Sequence, residues 1–372
     1  MLGDAVADAY GALIPEYGLK RLTSMLATAC RQGIDAVPDA PVELKAFLAD
    51  MERKPDWLDM DLVAEGARHD RITAAYFMPF IVRGAFLGTF MNSYAALPMA
   101  LTGALSGTRS AHRVKETASF ACSTIQPGGL ERHGPGFEAA AMVRLMHSMV
   151  RYNALRRSQK WDVSVYGIPI PQIDQVPAGL APIYPLAARA LAQGRNSFTQ
   201  AEQGEVELCR YRCFLLGLPE ELLPDTPDGV VRLMQTRRAT LRYAFDDAIS
   251  GALVRATMAA DLRPDHSWRG RLFGAVEHSW SRNYFVRTYA GGDRARAEMM
   301  GVDYTRVDRL RCLVTAPYLL GRLLLLRGAE RVPLFRSAVD RLATRMLNRR
   351  LRDFGHAEYT TDASTYAGAP AH

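Results

Sequence analysis

Residues 137–157 read FEAAAMVRLMHSMVRYNALRR and follow the helix-breaking pair Pro135-Gly136. Good helix formers fill this stretch and neither Gly nor Pro interrupts it, so it predicts one long helix. Helical periodicity recurs along most of the chain, and no repeat of fixed period occurs. The sequence therefore predicts an all-α protein organised as one large domain over residues 1–372.

Arg144, His147 and Arg151 give this helix its chemical character. Spacings of three and four residues, at about 100° per residue, place the three side chains on one face. That face also carries core-type residues: Ala140, Val143, Val150 and Ala154. Burying a guanidinium group without a counter-ion is very costly, so an anion must meet the two arginines. Two sources fit: a haem, which offers an iron to His147 and two propionates to the arginines, or carboxylates of neighbouring helices.

Charge and cysteine usage narrow the range of partners. The net charge of +7 is spread along the chain and no basic run is interleaved with aromatic residues, so we expect no nucleic-acid partner. The five cysteines are sparse and irregularly spaced, which indicates reduced thiols and not a disulfide framework. Cys209 and Cys213 lie one helical turn apart with no second Cys or His pair nearby, and we interpret them as ordinary helix residues. The first residues lack the basic and apolar regions of a signal peptide, so the expected location is the cytoplasm.

The most apolar part of the chain is residues 72–106, and residues 84–106 contain no charged residue. That length could span a bilayer, but Pro98, Asn92 and many small residues argue against a span. We expect helices that are hydrophobic all round and lie buried at the centre of the protein or line an apolar pocket. Peripheral contact with a membrane is the alternative.

Other segments carry local signals. Residues 161–166 (WDVSVY) are the only stretch with strand character, and Thr199 with Glu202 predicts a capping box at a helix start. Residues 303–327 predict a long helix whose core positions are Leu310, Val314, Tyr318, Leu319 and Leu323. The polar tail, residues 356–372, is expected to be disordered.

Four motifs occur in a fixed order along the chain. They are Arg144-x-x-His147-x-x-x-Arg151; Gly167-x-Pro169-Ile170-x-Gln172-x-Asp174; Leu216-Gly217-Leu218-Pro219-Glu220-Glu221-Leu222-Leu223-Pro224; and Arg287 followed by Gly292, Ala297 and Met299-Met300-Gly301. Each is common by itself, but the ordered set is far more specific. Over about residues 60–350 the chain resembles the family of rubber oxygenases (latex-clearing proteins) and the fungal oxygenase MpaB.

The resemblance implies a globin-like helical core, with extra helices at both ends, that holds one b-type haem. His147 is then the proximal iron ligand. Arg144 and Arg151 match the arginines that flank this histidine near the propionates, and Arg287 matches a third. His112 and His278 are alternative axial ligands, although neither has arginines around it in the same way.

The distal side implied by the resemblance departs from the family pattern. Arg113 and Thr117 resemble the distal Arg and Thr, but the residue before Thr117 is Glu116 where the family can have Lys. The family also uses a Glu from the preceding segment, whereas this chain has no acidic residue between Asp70 and Glu116. Either Glu116 takes over as the acid or base, or the chemistry differs from that of the family.

These expectations predict a haem b-dependent oxygenase that uses dioxygen or peroxide on an apolar, isoprenoid or lipid-like alkene substrate. Two other classes stay open. One is a haem protein without catalytic activity, such as a sensor or carrier. The other is a cofactor-free helical protein that binds lipids or a membrane surface through residues 72–106.

Overall fold

The computed structural model describes residues 3–101, 109–156, 158, 161–240 and 245–355. Within these ranges the regular secondary structure is helical and no strand occurs, so the all-α class predicted from the sequence is confirmed. The tail predicted to be disordered, residues 356–372, and the end of the apolar run, residues 102–106, lie outside the described residues.

The chain divides into two compact units, each discontinuous in sequence. Of the described residues, unit 1 contains those within Met1–Arg68 and Ser123–Leu241, and unit 2 contains those within His69–Cys122 and Arg242–Glu358. The crossings between units coincide with no Gly- or Pro-rich linker, which is why the sequence shows no boundary there. The single-domain organisation stays a prediction.

The first third of the chain, up to Thr124, contains eight of the described α-helices. They are α1 (Ala5–Gly11), α2 (Ile14–Tyr17), α3 (Leu19–Gln32), α4 (Val42–Glu52), α5 (Met60–Tyr76), α6 (Val82–Phe86), α7 (Ser93–Leu101) and α8 (Arg109–Thr124). Short 3-10 segments separate some of them: Ile34–Ala36, Met78–Phe80 and Leu87–Phe90.

The rest of the chain begins with the long helix predicted from residues 137–157. Its helices are α9 (Pro135–Arg156), α10 (Val163–Tyr166), α11 (Val176–Leu180), α12 (Tyr184–Ala192), α13 (Gln200–Leu215), α14 (Pro227–Thr240), α15 (Ala252–Ala259), α16 (Trp268–Thr288), α17 (Arg294–Met299), α18 (Arg306–Glu330) and α19 (Pro333–Phe354). Gln172–Gln175 and Glu220–Leu222 are 3-10 turns, and Asp247–Gly251 is a π-helical turn.

In unit 1, close helix crossings hold α9 in place. A Cβ added at Gly11 of α1 would lie 2.2 Å from Ser148 Oγ of α9, so only glycine allows this approach. Ser148 in turn donates a hydrogen bond to the carbonyl of Ala7 at 2.8 Å. The start of α9 is fixed by the carbonyl of Gly129, which accepts from the backbone N–H of Gly136 at 2.7 Å. The helix with the Arg/His face is therefore anchored at its start and at its middle.

The capping box at Thr199 and Glu202 is confirmed, and residues 161–166, the stretch with some strand character, form no strand. That segment holds the short helix α10 instead. Asp162 caps its first turn by accepting from Ser164 N–H at 2.8 Å, and Gly167 ends it at φ +70°. One turn of capped helix thus outweighs the β-propensity of Val163 and Val165.

In unit 2, the described part of the apolar run forms a core. Phe86, Leu87, Phe90 and Ala96 are buried and pack against residues of α15 and α16. This agrees with the expectation of buried helices, and it leaves no exposed apolar surface at these four residues for a membrane.

Helix α18 differs from its prediction. Of the five residues expected in the core, Leu319 is buried and Leu323 is half-buried, but Leu310, Val314 and Tyr318 are more than half exposed. The reason is that α18 carries apolar residues on both of its faces, so periodicity alone cannot decide which face turns inward. The buried face is set by contact with α16 and α19, and it carries Asp308 and Cys312.

Candidate functional site

Arg144 is buried in unit 1 and is surrounded by carboxylates. Its Nε donates to Asp4 Oδ2 at 2.5 Å and its Nη2 donates to Asp4 Oδ1 at 2.8 Å, a bidentate pair. Its Nη1 lies 2.7 Å from Asp50 Oδ2, at ion-pair distance but not aligned for a hydrogen bond. The guanidinium also lies over the ring of Phe47. Two acidic side chains from α4 and the start of α1 thus neutralise Arg144.

Arg151, two turns further along α9, is only partly satisfied. Its Nε donates to Asp8 Oδ1 at 2.7 Å and its Nη1 donates to the carbonyl of Ile170 at 2.9 Å. Its Nη2 is buried and has no hydrogen-bond partner within the part of the chain that the structure describes. Burial raises the pKa of Asp8 above its usual value, although Arg151 acts in the opposite direction. Arg151 therefore retains one buried donor directed at no acceptor.

His147 lies between the two arginines on α9 and is half-buried. Its Nδ1 is 2.8 Å from Nε2 of Gln175, which lies in the 3-10 turn after Pro171. The Gln175 amide carries both a donor and an acceptor, so it can pair with Nδ1 in either tautomer of the imidazole. With the amide oxygen turned towards a protonated Nδ1, the lone pair of the imidazole lies on Nε2, the nitrogen through which a neutral histidine binds a metal.

The first three sequence motifs meet around Arg144. Gly217 has φ +87°, and a Cβ there would lie 2.5 Å from Gln172 Nε2 and 2.7 Å from Arg144 Nε and Asp4 Oδ2. Gln172 donates to the carbonyl of Gly217 at 2.8 Å. The backbone at this position has a positive φ and leaves no room for a Cβ atom. Only glycine permits both without strain. The motifs therefore form one structural cluster in unit 1.

The segment after α10 is held under strain beside Arg151. Ile170 has φ +47°, a conformation that a β-branched residue rarely adopts, and its carbonyl is the one that Arg151 binds. Trp161 Nε1 donates to the carbonyl of Gly167 at 2.7 Å, and Arg237 Nη2 donates to Asp174 at 2.8 Å. Such over-determined strain is typical of segments that position a functional group.

Two anions were expected for Arg144 and Arg151: carboxylates of neighbouring helices or the propionates of a haem. The structure shows the carboxylates and leaves room for one propionate contact. Asp4 and Asp50 form ion pairs with Arg144, and Asp8 forms one with Arg151, so carboxylates of neighbouring segments do neutralise the two arginines. A haem nevertheless fits the donor set, because His147 offers an oriented imidazole and Arg151 offers an unmatched buried N–H for a propionate. Arg144, with two carboxylates already on it, fits a positioning role for α9 better than a direct bond to the cofactor.

The predicted distal residues lie on α8, in unit 2. Glu116 is buried and not solvated, and its carboxylate accepts from Arg113 Nη1 at 2.9 Å and lies 3.1 Å from His112 Nε2. The His112 side chain is 43% exposed, whereas that of Glu116 is 7% exposed. Thr117 points to solvent. Arg113, His112 and Glu116 therefore form an ionic cluster one helical turn long, and Thr117 is outside it.

Arg287, the predicted third cofactor-binding arginine, is an exposed residue near the end of α16. Its Nε donates to Asn283 Oδ1 at 3.3 Å, four residues earlier on the same helix. Its assignment to the cofactor stays a prediction.

His278, the other alternative axial ligand, lies on α16 in unit 2 and is half-buried. It lines a cavity of about 500 Å³ whose walls are mostly charged and include Arg263, Arg282 and Asp308. Burial, and then the charge of Arg83, lower the pKa of His278 from 6.5 to about 4. The imidazole is therefore neutral in the folded protein at pH values where it is protonated in the unfolded chain.

This pKa predicts a pH-dependent stability. Between about pH 6.5 and pH 4 the unfolded chain takes up a proton at His278 that the folded protein excludes, so stability falls as the pH falls. Urea unfolding at pH 7 and pH 5 should show a larger loss for the wild type than for His278→Gln, which has no proton to take up. Equal losses of stability in the wild type and His278→Gln would contradict a lowered pKa for His278.

Near α8 the structure has a second, much smaller cavity. It has a volume of about 40 Å³ and is lined by Pro79 and Val82 of the apolar run, Val114 and Ala118 of α8, and Phe273. Ligand sites usually enclose about 300 Å³ or more, so a substrate-sized molecule would have to widen it.

In the described residues, no three or more His, Cys, Asp or Glu side chains converge to hold a bare metal ion. A haem iron needs only one such side chain as a ligand from the protein.

Sequence reasoning did not identify Gln175 or the three aspartates as neighbours of the Arg/His face. Gln175 directly follows the second motif, and this adjacency was the one available signal. Asp4 and Asp8 lie about 140 residues before their partners, and nothing local connects them.

Together these features define an all-helical protein in which a half-buried histidine and two buried arginines share one face of a long helix. The family model described as ER-bound oxygenase mpaB/B'/Rubber oxygenase, catalytic domain, matches residues 78–365. The chain belongs to this family, and the oxygenase class expected from its motifs is confirmed.

A solved structure has a similar fold. It is the structure of latex clearing protein LCP in the closed state, with a TM-score of 0.62 and 18% sequence identity over 94% of this chain and 90% of that one. At this identity the likeness concerns the fold alone. A comparison with curated proteins gives no significant match.

Proposed function

We propose that this protein is a haem b-dependent oxygenase that acts on an apolar isoprenoid or lipid-like alkene. The observation that carries the proposal is the pairing of His147 with Gln175 beside Arg151, whose buried Nη2 lacks an acceptor among the described residues. An oriented imidazole and an unmatched cationic donor on one helix face suit a porphyrin with a carboxylate edge. A cytoplasmic location stays part of the proposal, and five buried cysteines that form no disulfide are compatible with it.

In this proposal the residues of unit 1 bind and orient the cofactor. His147 would hold the iron, and the Gln175 amide keeps the imidazole from turning. Arg151 would bind one propionate through Nη2, while Arg144 fixes α9 through Asp4 and Asp50. When bound, haem supplies the oxidising chemistry for dioxygen or peroxide with the alkene.

Glu116 is the proposed acid or base. Its carboxylate is withdrawn from water, while His112, bound to its Oε1, is partly open to solvent. A proton can therefore pass between solvent and Glu116 through the imidazole of His112, which can both donate and accept. Arg113 holds the other oxygen and keeps the carboxylate in one orientation.

Replacing Glu116 with Gln tests this role, because it keeps the shape and removes the exchangeable proton. We expect turnover to fall by about a hundredfold to ten-thousandfold, with the haem spectrum unchanged. Glu298→Gln is the matched control, since Glu298 is an exposed acid on α17. Unchanged turnover in Glu116→Gln would exclude Glu116 as the base.

Oxygen uptake by the haem-loaded protein tests the function itself. Uptake should rise on addition of a linear isoprenoid alkene and should not rise with the saturated hydrocarbon of the same length. A protein that binds haem but consumes no oxygen with any such alkene would be a non-catalytic haem protein instead.

A further inference from the structure

Helix α18 turns an apolar face to solvent that the oxygenase function does not use. Six of its large apolar side chains are between 60% and 75% exposed: Leu310, Leu313, Val314, Tyr318, Leu324 and Leu325. At about 100° per residue they fall within an arc of about 140°. The helix Arg306–Glu330 is long and apolar enough to cross a membrane, yet only 11% of its most apolar 18-residue window is buried.

The exposed face continues past the end of α18. Val332, Leu334 and Phe335, in the turn to α19 and its first residues, are 43%, 81% and 51% exposed. A helix of 25 residues is about 37 Å long, and large exposed apolar surfaces on a protein mark sites of interaction. We call the surface formed by these three residues and the six on α18 the α18 face.

The charges around the α18 face are nearly all positive. Arg306, Arg309, Arg311 and Arg331 are exposed at its edges and ends, and none forms an ion pair within the described residues. The sole acidic residue between positions 309 and 339 is Glu330, which is 9% exposed and bound to His69. The face is thus a long apolar strip bordered by arginines that form no ion pair in the described part of the chain.

We propose that the α18 face docks on a lipid bilayer with anionic headgroups, with the helix lying in the plane of the membrane surface. Apolar side chains enter the acyl boundary, and the bordering arginines extend outward to the phosphates. Such basic residues each add affinity for an anionic leaflet.

The charge pattern favours a membrane over a second copy of the chain. Two α18 faces pressed together would bring arginines against arginines with no acid to pair them, and such like-charge contacts oppose association.

The inward face of α18 argues against a transmembrane span. There Asp308 accepts hydrogen bonds from Ser279 and Arg282 of α16, so the helix is packed on unit 2 by polar contacts that would not persist in hydrocarbon.

Flotation of the full-length protein with vesicles tests the proposal. The probes are vesicles of phosphatidylcholine alone and of phosphatidylcholine with about 30% phosphatidylserine. The test variant is Leu313→Glu with Leu324→Glu. The matched control is Val42→Glu with Val163→Glu, which changes two exposed apolar residues of unit 1 and adds the same charge. Circular dichroism confirms that both variants are folded.

We expect binding to the anionic vesicles, weaker binding at high salt, and a loss of about a hundredfold or more in the test variant only. Three results would overturn the proposal: no binding by the wild type, equal loss in the control variant, or a dimer in solution that the test variant dissociates. The assay needs neither haem nor turnover, so its failure leaves the proposed oxygenase function untouched.

Discussion

His147→Ala is expected to leave the protein folded but unable to hold haem. His147 is the proposed iron ligand, and its ring is oriented by Gln175 on the same face as Arg151. Loss of an outer partner of a metal ligand usually costs tenfold to a hundredfold in affinity, so loss of the ligand itself should cost more than about a hundredfold. Titration of each purified protein with haem, followed at the Soret band, measures the change.

The matched control for this prediction is His266→Ala, which removes an exposed imidazole from unit 2. It should bind haem as the wild type does. If His147→Ala retained a wild-type Soret band and affinity, another residue would be the ligand, and His112 and His278 would be the next to replace.

The second large effect concerns a buried ion pair in unit 2. Arg83 and Glu277 are 0% and 1% exposed, and Nη2 of Arg83 lies 2.9 Å from Glu277 Oε2. Nη1 of Arg83 donates to three carbonyls at the end of α15, those of Thr257, Met258 and Ala260. Glu277→Gln leaves this guanidinium buried without a counter-ion and should lower the free energy of unfolding by about 3–5 kcal/mol.

An exposed pair provides the control. Arg232 and Asp228 are paired on the surface of α14 with side chains 72% and 49% exposed, so Asp228→Asn should change stability by about 0.5 kcal/mol or less. Urea unfolding of the three proteins compares the two sites. Equal, small losses at both would mean that Arg83 gains its stability from the helix carbonyls and not from Glu277.

Local features of the fold could be predicted from the sequence. The helix α9, the capping box at Thr199 and the all-α class depend on residues within a few positions of one another. The order of the motifs was sufficient to indicate the family. The strand character of residues 161–166 was misleading because one Asp cap and Gly167 formed a helical turn, which β-propensity does not register.

The partners of buried charges could not be predicted. Arg83 interrupts an apolar run, and its partner Glu277 lies 194 residues away. Asp4 lies 140 residues from Arg144. The sequence shows that a buried arginine needs an anion, but the fold alone determines which carboxylate arrives. This is why a haem propionate and a neighbouring carboxylate were equally compatible with the Arg/His pattern.

The orientation of α18 was a different kind of failure. Leu310, Val314 and Tyr318 have core spacing, but the opposite face also carries apolar residues such as Leu319. With apolar side chains on both faces, only contact with α16 and α19 shows which one is buried. The apolar side chains of α18 that remain exposed are the basis for the proposed docking on a membrane.

Titration of the purified wild-type protein with haem, followed by absorption spectroscopy, is the decisive test of whether this protein binds haem through His147. We expect a Soret band that saturates at one haem per chain. A fully folded protein that stays colourless after haem is supplied would contradict it.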